Sequence, residues 1–303
     1  MLLSEPPFIT PQDQCLLDGL EVASVRAVDG YLPGQHRSRM RGGSAEFAEH
    51  RAYGIGDEVR RLDWRVLAKC DRYYIKQYDE ESVLTAVLVM DANGGMSYAG
   101  EGSSKWDCAR AVGAALARLL LAQRDPVGLA LAADPLPPFL TPRSEASHYR
   151  VILDVLHRFT PQGPSALAGR LAEVCGRIRR RGLLFIISDF FCDLAPLGEA
   201  LRRLSGRGHQ LVLIHTVAPE ELSFPFKDGV RFVSLEDAGT SISLDAPAFR
   251  DTYLTRLEAH LTALRRLTSD VRGDYVPMRT DQPVATVLAD YLRKRAARLK
   301  TWS

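Results

Sequence analysis

The chain has no G-x-x-x-x-G-K-[ST] run, no G-x-G-x-x-G after a strand-like segment and no G-x-S-x-G. The first two absences remove the usual backbone cradles for nucleotide phosphates, and the third removes a nucleophile elbow. Cysteine is sparse and scattered. Cys15, Cys70, Cys108, Cys175 and Cys192 make no C-x-x-C or Cys/His cluster, which argues against zinc and against a disulfide framework. Reduced thiols in a cytoplasmic protein are the simplest account. Long apolar runs are missing as well. No stretch approaches the roughly 18 apolar residues of a membrane span, and MLLSEPPFITPQDQ lacks the basic and then apolar layout of a signal peptide. Charge of one sign is also lacking: a net +2 points to no class of partner. The seven histidines have no paired nucleophile in the local sequence and read as structural.

What is present is an ordinary globular composition, 46% hydrophobic and 25% charged, over 303 residues. Residues 1–82 are polar and charged, with alternating segments such as YYIKQY, and read as a β-rich arm. From 83 the text changes. TAVLVMD (85–91), DPVGLALAA (125–133), LLFIISD (183–189) and HQLVLIHTV (209–217) are buried-strand runs. Helical segments lie between them: 105–123, 147–159, 166–182 (with Gly182 as its stop) and 196–208. Beyond these, 226–244 reads as a hairpin, 247–268 as a helix, DYVPM (274–278) as a strand and the remainder as a closing helix. Alternating strands and helices of this length give an α/β domain over 83–303, with a parallel sheet covered on both faces.

Two of the strands end in aspartate, Asp91 and Asp189. Ligands of open parallel sheets bind at the carboxyl ends of strands. Two carboxylates meeting there suit Mg²⁺ or Mn²⁺, which prefer oxygen ligands. The plainer reading of the same two residues is as caps that accept backbone N–H bonds. The segment 36–64 is distinctive in another way. Ten Lys/Arg and six Asp/Glu interleave over 36–76. Arg51, Tyr53, Asp57, Arg60, Asp63 and Trp64 gather around the turn YGIGDE, as a salt-bridged knot or as a surface for a partner. Interleaved acids neutralise the field that nucleic acid would need, so nucleic acid is not expected. The tail RKRAARLK (293–300) reads as a solvated helix face.

These residues carry a family resemblance. G-x-H-R-S (34–38), G-x-x-E-F (43–47), R-x-Y (51–53), G-D (56–57), an R-x-L-D-W ending at Trp64 and the strand ending in Asp91 resemble the bacterial domain of unknown function 58 family. ISDFF around Asp189, PEELSFP (219–225) and DYVPMRTDQPVATVLADYLRKR (274–295) continue the match, which spans roughly 25–295. That family is similar to von Willebrand factor A domains. The resemblance therefore implies a doubly wound, mostly parallel sheet with helices on both faces, plus the N-terminal arm.

Such domains often carry a metal-ion-dependent adhesion site, with the pattern Asp-x-Ser-x-Ser, a later Thr and a later Asp. Carried over, Asp91 and Asp189 match, Asn93 and Gly95 replace the two serines, and Ser165 in QGPSAL stands for the threonine. Asn93 offers a carbonyl oxygen and Gly95 offers nothing, so the implied site is a degenerate one, with weak Mg or Mn binding at Asp91, Asn93, Ser165 and Asp189. Family members are often encoded beside MoxR-type AAA+ ATPases. The resemblance implies a non-catalytic, cytoplasmic protein-binding module, a chaperone adaptor or assembly factor that meets such an ATPase or its client complex. The alternative is a Mg/Mn-dependent hydrolase using Asp91 and Asp189.

Overall fold

The computed structural model describes residues 8–23, 46–54, 64, 66–67, 73–79, 84–178, 181–227, 229–237 and 239–300. Its contacts divide the chain into residues 26–83 and a larger unit made of 1–25 with 84–303. This differs from an arm running over 1–82. The first helix, α1 (Pro11–Leu17), packs within the larger unit because Leu17 and Val22 are buried in its core. The Val22 N–H donates to Gln123 Oε1 at 3.1 Å. Thr10 and Asp13 start α1 with a reciprocal capping box, each side chain accepting from the other's backbone N–H at 3.1 Å.

In the smaller unit, β1 (Glu46–Ala52) and β2 (Tyr74–Asp79) pair antiparallel, with Arg51 opposite Ile75 and a slip in register between Phe47 and Glu49. The Tyr53 N–H donates to the Tyr73 carbonyl at 2.8 Å, and their rings lie 6.2 Å apart. Trp64 is 60% exposed. Asp57, Arg60 and Asp63 of the expected knot lie outside the described residues.

The larger unit is built on strands β3 (Thr85–Asp91), β4 (Val127–Ala132), β5 (Leu140–Arg143), β6 (Gly182–Ser188), β7 (Gln210–Val217) and, further along, β10 (Asp274–Arg279). They form one sheet in the order β10-β7-β6-β3-β4-β5, with only β4–β5 antiparallel. Helices α2 (Lys105–Ala122), α3 (Ser147–Arg158), α4 (Leu167–Arg177), α5 (Leu194–Gly206), α7 (Ala246–Asp270) and α8 (Val284–Lys300) cover it.

Strand periodicity sorts the core into two layers. Ala86, Leu88 and Met90 of β3 face Val112, Leu116 and Leu120 of α2 together with Leu288 and Leu292 of α8. Val87 and Val89 face Leu171 and Val174 of α4, Leu201 and Leu204 of α5 and Leu264 of α7. Both faces of the strand are dry, which is why its sequence is an unbroken apolar run.

Gly182 opens β6, paired with Thr85, and does not stop the preceding helix, which ends at Arg177. Between α6 (Pro219–Ser223) and α7 runs a hairpin of β8 (Gly229–Val233) and β9 (Ser241–Asp245). Phe224 holds it down, its ring 5.1 Å from Phe226, 5.7 Å from Phe232 and 4.6 Å from Tyr253 of α7.

The basic tail is only partly a solvated face. Arg295 is buried, bonded to the Asp274 carboxylate, to Gln210 Oε1 at 2.6 Å and to the Ala23 carbonyl at 2.7 Å, so it ties α8, β10 and the first segment together. Among the described residues, no helix is long and apolar enough to cross a membrane.

Candidate functional site

The chain leaves β3 toward β4 on one side and later starts from β6 toward β7 on the other. The order of strands therefore reverses at the neighbouring β3 and β6. At such a switch point the loops leaving the two carboxyl ends diverge and open a crevice. Asp91 is the last residue of β3, and Asp189 directly follows β6. The polypeptide thus delivers two carboxylates to one place by topology alone, and both are buried.

Each of the four residues expected at the site is found there. Asp91 Oδ2 accepts from the hydroxyls of Ser165 at 2.9 Å and Ser188 at 2.8 Å, while its Oδ1 accepts from the Asn93 N–H at 3.3 Å. Ser165 is held by the loop before α4, where the Gln162 N–H donates to the Ala92 carbonyl and the Gly94 N–H to the Gly163 carbonyl. Asn93 has two tasks. Its carbonyl oxygen accepts from the Met96 N–H at 3.1 Å and so caps the short 3₁₀ turn Gly94–Ser97, and its amide donates to Asp189 Oδ1 at 3.4 Å. A serine hydroxyl also donates and accepts, but from a single atom on a shorter side chain, and would lack the reach to serve both partners at once.

The side chain absent at Gly95 is accounted for by crowding. A Cβ there would lie 2.8 Å from Asn93 Oδ1, 3.2 Å from Asp189 Oδ2 and 3.6 Å from Glu236 Oε1. One at Gly94 would lie 1.8 Å from the Leu235 carbonyl oxygen. The loop joining β8 to β9 therefore lies directly on the two glycines.

Three participants were not evident in the sequence. The most consequential is Lys105, the first residue of α2, which is 2% exposed. Its ammonium donates to Asp189 Oδ2 at 2.6 Å and to Glu221 Oε1 at 2.8 Å. It also stands 5.2 Å from the centre of the Phe191 ring. Glu221, on α6, turns its other oxygen to the Ala218 N–H at 2.8 Å. Ser188 is the third, with its hydroxyl on Asp91 and its oxygen accepting from the Phe190 N–H.

Electrostatics follow from this packing. Burial, then the charge of Asp189, pushes Asp91 up to about 6, against the pull of the Ser188, Ser165 and Asn93 hydrogen bonds. Burial works to discharge Lys105, but the charges of Asp189 and Glu221 prevail and hold its pKa above the ordinary lysine value. Burial raises Glu221, with Lys105 opposing. His215 is pushed down to about 4 by burial and so is neutral at physiological pH. Burial and the surrounding carboxylates push the Cys192 thiol up to about 12, far from a thiolate nucleophile.

The fit to Mg²⁺ or Mn²⁺ can be tested on the oxygens. All four carboxylate oxygens of Asp91 and Asp189 already accept from protein donors: Asn93, Ser165, Ser188, Phe191 N–H and Lys105. A hard divalent cation binds oxygens at roughly 2.0–2.6 Å. To reach Asp189 Oδ2 it would have to stand against the Lys105 ammonium. This donor set does not fit a resident divalent ion.

Fold and site together define a doubly wound α/β domain with paired, internally bonded aspartates at its switch point. The chain belongs to the family described as protein of unknown function DUF58, whose pattern it matches over residues 49–263. It is similar, at 29% identity over 298 residues, to the uncharacterized protein Rv1480 of Mycobacterium tuberculosis and to the uncharacterized protein Mb1516 of Mycobacterium bovis. Each alignment covers 95% of this chain and 90% of the relative.

Among solved structures, it resembles the conserved hypothetical protein BatB from Bacteroides thetaiotaomicron, with a TM-score of 0.46, 16% identity, and coverage of 71% of this chain and 99% of that one. It also resembles the SpRpn10 VWA domain, with a TM-score of 0.37, 12% identity, and coverage of 68% and 94%.

Proposed function

We propose that this protein is a non-catalytic interaction module that meets a protein partner through the loops at the carboxyl ends of β3 and β6, including the turn that holds Ser165. It works as an adaptor or assembly factor beside a MoxR-type AAA+ ATPase or that enzyme's client complex. The observation that carries this reading is the state of the switch-point polar groups. Every oxygen of the two buried aspartates already accepts from a protein donor, and Lys105 stands on Asp189, which favours a crevice that offers its rim to a partner over one that offers its carboxylates to a substrate. At the rim, Phe191 is 37% exposed beside the buried Lys105, and Leu235 is exposed on the loop that covers Gly94.

The Lys105 ammonium, 2.6 Å from Asp189 Oδ2, also favours this reading over a Mg- or Mn-dependent hydrolase, which needs an open coordination position and an activated water on Asp91 and Asp189. The partner class comes from the family's association with MoxR-type ATPases, and a cytoplasmic setting from the scattered thiols.

The test is affinity capture with the tagged full chain from its native host, followed by mass spectrometry. Recovery of an AAA+ ATPase by the natural chain, with at least about tenfold less recovery by Phe191→Ala/Leu235→Ala, supports the reading. Equal recovery by both chains moves the contact elsewhere, and capture of no AAA+ ATPase removes the assigned partner.

A further inference from the structure

We infer that Lys105 is the permanent cation of the switch-point site: its ammonium does the charge-balancing that a divalent ion would do between the strand-end carboxylates, so the site holds no exchangeable metal and needs none. The inference stands whether or not the rim docks a partner.

Lys105 is the first residue of an 18-residue helix whose start is fixed by a Ser104/Asp107 capping box, with Ser104 Oγ accepting from the Asp107 N–H at 3.0 Å. A cation there faces the positive end of the helix dipole, an unfavourable placement for a lysine with a choice of rotamers in water. The side chain nevertheless runs inward and is almost wholly buried. What holds it is a pair of carboxylates from two different parts of the chain: Asp189 after β6 and Glu221 on α6. The aromatic ring of Phe191, 5.2 Å from Nζ, closes one side.

The rest of the site is consistent with a tethered +1 charge. Asp91, which Lys105 does not contact, is satisfied by two serine hydroxyls and a backbone N–H, that is, by dipoles. Asp189, the carboxylate facing the ammonium, receives its other bonds from the Asn93 amide and the Phe191 N–H. Glu221 supplies a third carboxylate from within the chain, and it is fixed in place because the same group caps α6. The two glycines after Asn93 remove the side chains that would contribute oxygens from this turn. The covering loop brings the Leu235 carbonyl to Gly94 and Glu236 to Gly95 instead. A covalently attached cation does not dissociate, so the arrangement persists in chelator and at any divalent-ion concentration.

The experiment is Mn²⁺ titration of the full chain, read by the electron paramagnetic resonance signal of free Mn²⁺, with Lys105→Ala and Lys105→Ala/Asp189→Asn beside it. The natural chain should show no saturable binding below millimolar Mn²⁺. Lys105→Ala should bind at least about tenfold tighter, because removing the ammonium relieves a like-charge contact, and Asp189→Asn should abolish that gain. Saturable binding by the natural chain that is lost on Asp189→Asn overturns the inference. So does a folded Lys105→Ala, checked by circular dichroism, that binds no tighter than the natural chain.

If Lys105→Ala does not fold, thermal unfolding of the natural chain decides. Coincident midpoints in chelator and in excess Mn²⁺ support the inference. A midpoint raised by Mn²⁺, with the rise lost in Asp189→Asn, overturns it.

Discussion

Replacing Lys105 by methionine keeps an unbranched stem and removes the ammonium. It leaves Asp189, 2% exposed, and Glu221, 16% exposed, facing each other without a counter-charge. Two estimates of the cost agree. Removing one partner of a buried ion pair typically costs about 3–5 kcal/mol, because the remaining charge is stranded. Alternatively, a stranded carboxylate escapes by taking up a proton, which costs about 4 kcal/mol at pH 7 for a group with an ordinary carboxylate pKa.

The second route fixes the pH dependence. In the variant, the folded-state pKa of the stranded carboxylates lies above the unfolded value. The penalty is therefore present above the folded-state pKa and fades as pH falls toward the unfolded one. For the natural chain, Lys105 is raised above its ordinary value. Its contribution is complete below the unfolded lysine pKa and is lost only as alkaline pH passes through the raised one, so nothing changes for it between neutral and mildly acidic solution.

Urea unfolding followed by far-ultraviolet circular dichroism should therefore show Lys105→Met less stable by about 3–4 kcal/mol at neutral pH. The gap should narrow by up to about 1.4 kcal/mol per pH unit on acidification. Adding Asp189→Asn should recover part of the loss. A deficit under about 1 kcal/mol at neutral pH, or one that does not change with pH, would refute the picture of a charge-balanced buried cluster.

Other perturbations test neighbouring parts of the argument. Gly94→Ala places a methyl group 1.8 Å from the Leu235 carbonyl oxygen. It should cost about 1–3 kcal/mol and speed hydrogen exchange over 234–237. Gly102→Ala, with nothing within 4 Å, should stay within about 0.5 kcal/mol. Arg295→Ala removes one of two arginines on the Asp274 carboxylate, which keeps Arg298 at 2.7 Å and the Tyr291 hydroxyl at 2.9 Å, and it frees the Ala23 carbonyl. A loss of about 1–3 kcal/mol in denaturant unfolding is expected, and an unchanged midpoint would show that the tie is not structural. Burial pushes the Cys108 thiol up to about 12, whereas Cys15 is exposed. Iodoacetamide followed by peptide mapping should label Cys15 in the native chain and Cys108 only after denaturation.

The sheet was readable because its central strands are buried on both faces, and such strands print as uninterrupted apolar runs: TAVLVMD and LLFIISD each place their last aspartate at a strand's carboxyl end. The edges were harder. LTPR of β5 is four residues long, contains a proline and has alternate residues exposed, so it carries neither a long apolar run nor a clean alternation. EFAEHRA of β1 has too few apolar residues to mark a face. The basic tail misled for a related reason. Arg295 is buried only because Asp274 and Ala23, both distant in sequence, arrive beside it, and charge counting along one helix does not register partners brought by the fold.

The site divides in the same way. Asp91 and Asp189 stand at strand ends that are legible in the sequence, Asn93 and Ser165 are implied only by the resemblance to the adhesion-site pattern, and the structure brings all four together. That pattern describes which ligands are missing, Gly95 above all, and is silent about Lys105. Lys105 sits in SSKWD, where Ser104 and Asp107 already announce a helix start. Lysine in the first turn runs against the helix dipole, so its presence there was a local conflict that called for a compensating acid. The acid was available in PEELSFP, whose Glu221 cannot be assigned to Lys105 from sequence because the pair is 116 residues apart. Two weak anomalies, a lysine at a helix start and acids in a short turn, become one strong feature only when the topology joins them. The missing hydroxyls at Asn93 and Gly95 and the internal ammonium then agree with one another: a cation on Asp189 Oδ2 would meet the Lys105 charge 2.6 Å from that oxygen, and the turn offers it no serine in compensation.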